Sequence, residues 1–315
     1  MSPAAEGRGR AVAVAGAVHY LPVAMTAHRA PVALACAFAC LVGCNLTQEG
    51  QAPGPATLNY PIALELSATV DGSAPPYLFV VNSNFDLRFN TGSVQAFDLA
   101  AVEVAIAEEC DGGGPECQLT LEGAAQGLVA AEVGVGSHTD GLALGPDGRR
   151  LYLPVRSERT LVAVDFRETP EGVRFACDES VEEGEDIPRC GEGAVAGVDS
   201  VASERGLVLD GDPVAVTSGR LGALTDALTG NFVLLAQRDG RVALLLDDTP
   251  GEPPRLVHEL GGLPEDLVTT TLQPRTGIAW LTSARTRELA RVGVAVDATS
   301  PDRSFLFDAG RAALA

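Results

Sequence analysis

The chain contains no lysine, so all 22 of its basic side chains are arginines, set against 42 aspartates and glutamates. The formal net charge is -20 at pH 7. Proteins that bind nucleic acid or anionic lipid headgroups do so largely by neutralising phosphates with Lys and Arg. We therefore expect no nucleic-acid partner.

Aromatic side chains are also scarce, at 5% of the residues with a single Trp, yet 46% of the 315 residues are hydrophobic. A chain of this length and composition can bury a real core, which excludes general disorder. Long apolar runs are missing as well. The run from Pro31 to Val42 falls short of the roughly 20 residues that a transmembrane helix needs.

The N-terminal segment has the three-part layout of a secretory signal. After Met25, which is an alternative start, come His28 and Arg29, the apolar run 31–42 and Cys44. The letters LVGC at 41–44 resemble the lipobox of bacterial lipoproteins, whose Cys is acylated and becomes the new N-terminus. This resemblance implies a signal peptide at 1–43 and a lipidated Cys44 with a flexible tether at 44–56. An ordinary signal peptide with a chance Cys and a buried apolar helix are the alternatives.

The cysteines support export. Of seven, Cys36 and Cys40 fall in the leader and Cys44 at the lipid site. The other four form two close pairs, each in a polar, acidic segment: Cys110 with Cys117, and Cys177 with Cys190. We predict that each pair forms a local disulfide, as is common in exported proteins. Free thiols and a metal site are the alternatives.

The remaining chain is predicted to be all-β, because short runs with a period of two or a β-branched character recur between turn signals. The clearest unit is residues 140–177, where GLALG, RRLYLPV, LVAVDF and VRFAC are separated by PDG, RSERT and RETPEG. Four short strands joined by tight turns make an antiparallel meander.

The same order recurs along the chain. It predicts a β-propeller at 57–315 with about four recognisable blades of four antiparallel strands. The expected blades are 57–123, 136–195, 207–262 and 263–315. In the first blade, YLFVVNSN would be the second strand and GSVQAFDLAAVEVAI the third and fourth.

The segment GLALGPDGRRLYLPVRSERTLVAVD resembles the repeat of bacterial YVTN-type β-propellers, which are similar to lactonase-like propellers. YLFVVNSN matches best at the second strand, with Asn82 where that family has its Asn. The third and fourth units depart from the signature, with LLAQ and WLTS. Seven blades are usual in the family, so the resemblance also implies a fragment, missing blades or a small ring.

Asn82, Asn84 and Asp86 alternate in NSNFDLRFN, with Asn90 nearby. Oxygen ligands at this spacing could hold Ca²⁺. Asn and Asp also cap turns through bonds to their own backbone, and contact with a ligand at the mouth of the propeller channel is a third alternative. No other cofactor is expected.

Ser137, His138 and Asp140 lie close together in GVGSHTDGLALG. A catalytic triad needs side chains that converge from different segments, and a GxSxG elbow is missing here. We therefore interpret this stretch as a loop, and predict no catalytic residue. His258 is expected to pair with Glu259, and Trp280 to pack between blades. A weaker candidate for a divalent cation is the acidic loop, which contains Asp178, Glu179, Glu182, Glu183, Glu185 and Asp186.

Together these features predict a lipid-anchored propeller of the cell envelope, at the outer membrane, that binds or scaffolds an envelope protein or other ligand. A fold of this kind also serves enzymes. The alternatives are a lactonase-like or other hydrolytic propeller with carboxylates in its channel, and a truncated product without independent function.

Overall fold

The computed structural model describes residues 53–69, 74–85, 89–110, 127–170, 172–177, 187–197, 209 and 211–314. The chain divides into two compact units, 1–48 and 49–315. The first unit, with the predicted signal peptide and Cys44, lies outside the described residues.

The described part of the second unit contains seventeen strands, one α-helix and three short 3₁₀ helices, Glu192–Ala194, Leu221–Ala223 and Pro301–Arg303. The first sheet contains β1 (Pro61–Leu66), β2 (Tyr77–Asn82), β3 (Gly92–Asp98) and β4 (Val129–Val135), with helix α1 (Leu99–Glu109) between β3 and β4. The second contains β5 (Ala143–Leu144), β6 (Arg150–Val155), β7 (Thr160–Thr169), β8 (Gly172–Ala176) and β9 (Val195–Gly197). The third contains β10 (Pro213–Arg220), β11 (Asn231–Gln237), β12 (Val242–Asp247) and β13 (Arg255–Leu260). The fourth contains β14 (Leu267–Gln273), β15 (Ile278–Ser283), β16 (Glu288–Ala295) and β17 (Phe305–Ala313).

Each sheet is an antiparallel meander in which consecutive strands are neighbours. In the second sheet, β8 and β9 share the outer position, because β8 pairs with residues 165–169 of β7 and β9 with residues 160–162. The predicted all-β class, with four-stranded antiparallel propeller blades, is confirmed. The first sheet extends beyond residue 123, since β4 ends at Val135.

Helix α1 corrects one part of the prediction, which placed strand structure along LAAVEVAI. Its alternating apolar pattern resembles a strand, but Asp98 at the N-cap accepts hydrogen bonds from the amides of Ala100 and Ala101. Such a cap satisfies donors that the first turn leaves open. The alanines and glutamates that follow favour a helix. The fourth strand of this sheet is β4 instead.

The core lies between successive sheets, which pack face to face. Phe79 and Val94 of the first sheet pack against Leu151 and Val164 of the second. The other side of the second sheet, including Leu161, packs against the third sheet, and the third packs in turn against the fourth. The two middle sheets are therefore covered on both faces, which explains their nearly continuous apolar strands.

The second and third sheets are also joined by a buried ionic network centred on Arg150, which is only 8% exposed. Its guanidinium binds Asp165 of its own sheet, and its Nη1 donates to Asp247 of the third sheet at 2.7 Å. The hydroxyl of the fully buried Tyr152 donates to the other oxygen of Asp247. Burial and the charge of Asp247 both raise the pKa of Tyr152, which therefore stays protonated as a donor.

His258 joins the third and fourth sheets at their outer strands. Its Nδ1 accepts a hydrogen bond from the amide of Leu306 at 3.2 Å. Burial lowers the pKa of His258, while Glu259 opposes that shift. The imidazole is thus kept in the neutral form that can accept this bond.

The predicted disulfide between Cys177 and Cys190 is confirmed, with Cα atoms 5.1 Å apart. Cys110 is buried at the C-terminal cap of α1. Its predicted partner Cys117 lies outside the described residues, so that pairing stays a prediction. Within the described ranges, no helix is long and apolar enough to cross a membrane.

Replacement of Arg150 alone should have a large effect on the stability of the fold. Arg150→Met should lower the free energy of unfolding by about 3–5 kcal/mol, because it leaves the partly buried Asp247 without its cation and takes from Asp165 one of the two arginines that bind it. The matched control is Arg149→Met, which removes an exposed arginine next to it and should change stability by less than about 0.5 kcal/mol. Urea denaturation of both variants measures the difference. Equal stabilities would contradict the role given to Arg150.

Candidate functional site

Topology brings several loops of different blades to the same end of the sheets. In an antiparallel meander, the loop between the second and third strands lies at the same end as the connection from the fourth strand to the next blade. Residues 83–85, 89–91, 136–142 and 156–159 therefore meet at this end, beside the junction of the first two blades. Binding sites commonly form on loops that a rigid scaffold brings together in this way.

Seven residues from these three loops form what we call the rim cluster: Ser83, Asn84, Phe85, Ser137, His138, Asp140 and Arg156. Asn84 connects the first two loops. Its amide nitrogen donates to Ser137 Oγ at 2.9 Å and to the carbonyl of Phe89 at 2.7 Å, while its oxygen accepts from the amide of Phe89 at 3.0 Å. These bonds join Asn84 to Phe89 within the β2–β3 loop and to Ser137 in the next loop.

His138 is held in an unusual backbone conformation, with φ of 56°. Its amide donates to the carbonyl of Ser83 at 2.8 Å, and its carbonyl accepts from the amide of Arg156 at 3.2 Å. A left-handed conformation of a residue other than Gly is uncommon and costs energy, although His, like Asn and Asp, adopts it more readily than most residues. The two backbone bonds to neighbouring loops hold His138 in place despite that cost.

The short distance between these loops depends on Gly136. A Cβ atom there would lie 2.3 Å from Val155 Cγ1 and 2.6 Å from Glu158 Oε1. Only glycine lets the β4–β5 connection pass this close to β6 and the turn that follows it. The segment GVGSHTD is therefore a polar loop that also packs closely against β6 and the turn that follows it.

The rim cluster combines an exposed aromatic ring with a half-buried charge pair. Phe85 is 58% exposed, and its ring meets the imidazole of His138 edge-on, with 5.4 Å between the ring centroids. Arg156 and Asp140 form an ion pair at 2.8 Å. Three buried polar atoms of the cluster, Ser83 Oγ, His138 Nδ1 and Arg156 Nε, have no hydrogen-bond partner in the described part of the chain.

The structure brings Ser137, His138 and Asp140 together as neighbours on one loop, but gives each a different partner. Ser137 Oγ accepts from Asn84, and Asp140 binds Arg156. The side chain of His138 packs against Phe85. These contacts position a loop, as the sequence pattern predicted.

The proposed calcium ligands separate in the structure. Asn82 Oδ1 accepts from the amide of Asn59, and its nitrogen donates to Ser93, whereas Asn84 points toward Ser137. Asp86 lies outside the described residues, as does the acidic loop 178–186. No cluster of three or more His, Cys, Asp or Glu side chains suited to a metal occurs in the ranges described. The calcium site, which would include Asn90, stays a prediction.

A second polar arrangement lies on the first sheet and was not predicted from sequence. Glu132 of β4 accepts hydrogen bonds from Ser93 Oγ at 2.9 Å and from Gln95 Nε2 at 2.7 Å with one oxygen, and from the amide of Ala56 at 2.7 Å with the other. Gln95 also donates to the carbonyl of Thr57 at 3.0 Å. Residues 53–59, which we call the strap, are thereby held against the sheet.

The Glu132 carboxyl is partly buried beneath the strap. Burial raises its pKa, and the hydrogen bonds from Ala56, Gln95 and Ser93 act in the opposite direction. A buried carboxylate is costly unless donors surround it. The strap and the sheet therefore stabilise each other through the hydrogen bonds that these three donors make to Glu132.

Comparisons with known proteins add little beyond the fold. No family model and no curated protein matches the chain. Among solved structures it is similar to Hsv2 of Kluyveromyces lactis (9% identity, TM-score 0.41, 80% of this chain and 60% of that chain). It is also similar to a putative 6-phosphogluconolactonase from Bacteroides uniformis (12%, 0.47, 82% and 59%). A functionally unknown protein from Desulfotomaculum acetoxidans is a third (11%, 0.44, 80% and 55%).

This chain spans less than two thirds of the length of each of these structures. The identities and TM-scores are too low to carry a functional assignment. The rim cluster and the strap therefore rest on the geometry of this chain alone.

The Glu132 network predicts a local effect on the strap. In Glu132→Gln, one side-chain atom becomes a donor and can no longer accept from Ala56, while the oxygen can still accept from Ser93 and Gln95. Loss of a charge-assisted bond should speed amide exchange at Ala56 by about tenfold or more. Hydrogen exchange with mass spectrometry measures this, and Glu108→Gln on the exposed face of α1 is the control. Unchanged exchange in Glu132→Gln would contradict the strap's dependence on this carboxylate.

Proposed function

We propose that the protein is a lipid-anchored propeller of the bacterial cell envelope, related to the YVTN-type repeat proteins, that binds an envelope protein or other ligand at the rim cluster. The observation that carries the binding site is the exposed ring of Phe85, supported from behind by His138 in its left-handed conformation. The proposal adds a partner and a membrane anchor to a fold that hosts many functions.

Three properties of the rim cluster support a binding role. Binding energy concentrates at exposed aromatic side chains with rigid surroundings, and Phe85 lies on a loop fixed by the three hydrogen bonds of Asn84. Backbone strain such as that of His138 collects at functional sites. Buried polar atoms such as Ser83 Oγ and His138 Nδ1 would gain from a ligand that offers hydrogen bonds.

The strap supports an anchor at the N-terminal side of the propeller. It overlaps the last four residues of the tether predicted at 44–56, and backbone groups of Ala56, Thr57 and Asn59 are bonded to the first sheet. A chain that must withstand pulling from a lipid gains from such a fixed point. Through these bonds, the strap would pass a pulling force to the outer strands of the first sheet instead of to β1.

Position-specific photo-crosslinking tests the binding site. A photoreactive phenylalanine analogue in place of Phe85 should give a discrete adduct in intact cells. The same analogue in place of Val104 of α1, which has a similar exposure of 56%, is the control and should give none. Arg156→Gln should reduce the adduct at position 85 by about tenfold, as expected for loss of a charged contact. No adduct at position 85, or equal adducts at both positions, would overturn the proposed site.

Labelling with a fatty-acid analogue tests the anchor. The wild-type protein should incorporate the label and fractionate with membranes, whereas Cys44→Ser should lose the label and become soluble or remain as unprocessed precursor. Cys40→Ser, in the same leader, is the matched control and should behave as wild type. A Cys44→Ser protein that is processed and still fractionates with membranes would contradict the lipid anchor and leave the binding site open to its own test.

A further inference from the structure

The disulfide of the second blade lies beside the first blade. Cys177 directly follows β8, and Cys190 ends the segment 187–190, which we call the clasp. The amide of Gly134 in β4 donates to the carbonyl of Pro188 at 2.7 Å, and the amide of Cys190 donates to the carbonyl of Gly134 at 3.0 Å. The clasp is therefore bonded to the last strand of the first sheet and covalently linked to the second sheet.

Both cysteines belong to the core between these two sheets. Cys177 is only 5% exposed, and the half-buried Cys190 packs against the same cluster, which includes Val133 and Val135 of β4. Ile187, at the start of the clasp, is buried as well. The disulfide therefore holds the clasp at the junction of the first two blades, in addition to closing a loop of the second.

The clasp lies close to β4 because Gly134 has no side chain. A Cβ atom there would lie 3.0 Å from Arg189 Cγ and 3.4 Å from Thr91 Cγ2. The hydroxyl of Thr91 in turn donates to the carbonyl of Val135. The clasp, the end of β4 and the last residue of the β2–β3 loop therefore pack together.

The rim cluster begins a few residues beyond this contact. Gly134 is the second-last residue of β4, and the connection that contains Ser137 and His138 starts at residue 136. The amide of His138 donates to the carbonyl of Ser83 at 2.8 Å. Because Gly134 and His138 are only four residues apart, a shift of the end of β4 would move the loop that follows it and strain this bond.

We propose that the disulfide, acting through the clasp, positions the rim cluster, so that its reduction weakens binding there. This inference rests on the binding role proposed above. Backbone hydrogen bonds at the edge of a sheet open and exchange with water, whereas the covalent link of Cys190 to Cys177 holds the clasp near β4 whenever they open. Without that link, the clasp separates from β4 more often, and the rim loop loses a support.

Reduction proceeds by thiol–disulfide exchange with a dithiol. A thiolate of the dithiol attacks Sγ of Cys190, which is more exposed than Cys177. The S–S bond breaks, and Cys177 leaves as a thiolate that takes up a proton. The second thiolate of the dithiol then attacks the mixed disulfide and releases Cys190, which also takes up a proton. Two electrons pass to the protein, which gains two thiols, and the dithiol is oxidised to its disulfide.

Hydrogen exchange of the purified full chain, in detergent where it is membrane-bound, tests the positioning. Reduction of the wild type with dithiothreitol and the variant Cys177→Ala/Cys190→Ala should each speed amide exchange at Gly134 and His138 by about tenfold or more. Reoxidation should restore slow exchange in the wild type. Leu306→Ala is the matched control, because it weakens the core of the fourth sheet and should leave exchange at His138 unchanged.

Three results of this experiment would overturn the proposal. The first is unchanged exchange at His138 after reduction. The second is an equal rise at Val294 of the fourth sheet, whose amide is bonded to Gly277, because that would mean global unfolding. The third is a further rise when dithiothreitol is added to the double variant, because that would assign the effect to other cysteines.

Photo-crosslinking at position 85 separates this inference from the binding role. With the disulfide intact, the photoreactive analogue in place of Phe85 should give its adduct. Cys177→Ala/Cys190→Ala should reduce that adduct, per molecule of protein, by about tenfold, whereas Leu306→Ala should not. An equal adduct in the double variant would overturn the inference alone. No adduct with the disulfide intact would overturn the proposed binding site and this inference together.

Discussion

Burial of both faces of a sheet is the constraint on which the rest of this structure depends. All seven residues of β11 are buried, and its side chains alternate between the core shared with the second sheet and the core shared with the fourth. A strand that faces two cores has no polar side to present to water. Polar chemistry is thereby confined to the loop ends, to the outer strands and to a few buried groups such as Arg150, which is paired with Asp165 and Asp247.

One polar position recurs in three of the sheets, and its side chains make different contacts in each. The first residue of the second strand lies opposite an aspartate of the third in three sheets, as Tyr77 with Asp98, Arg150 with Asp165, and Asn231 with Asp247. Asp98 caps α1, Asp165 binds Arg150, and Asp247 binds both Arg150 and Tyr152 across a blade junction. A repeated position thus became a helix start in one blade and an ionic bridge in two others.

The parts of the structure that could be predicted are those encoded by local pattern. The turn letters PDG and RSERT mark the ends of β5, β6 and β7, and the two close cysteines of the second blade join a loop within one blade. Helix α1 was missed because VEVAI alternates like a strand, and only the cap at Asp98 distinguishes it. Glu132 could not be foreseen, since Ala56, Ser93 and Gln95 are 76, 39 and 37 residues away, and nothing local in AAEVG indicates three converging donors.

The rim cluster shows the same division between local and distant information. Its residue types, a serine, a histidine and an aspartate in one loop and asparagines in another, were singled out from the sequence. Their contacts depend on the third loop. The guanidinium of Arg156 binds the carboxylate of Asp140, and the backbone amide of Arg156 donates to the carbonyl of His138. The strain at His138 persists because blades on either side are held by their own cores and cannot move to relieve it. The ring of Phe85 packs against His138 in this loop, so under the proposed binding role a partner would lose less entropy on binding than it would with a mobile loop.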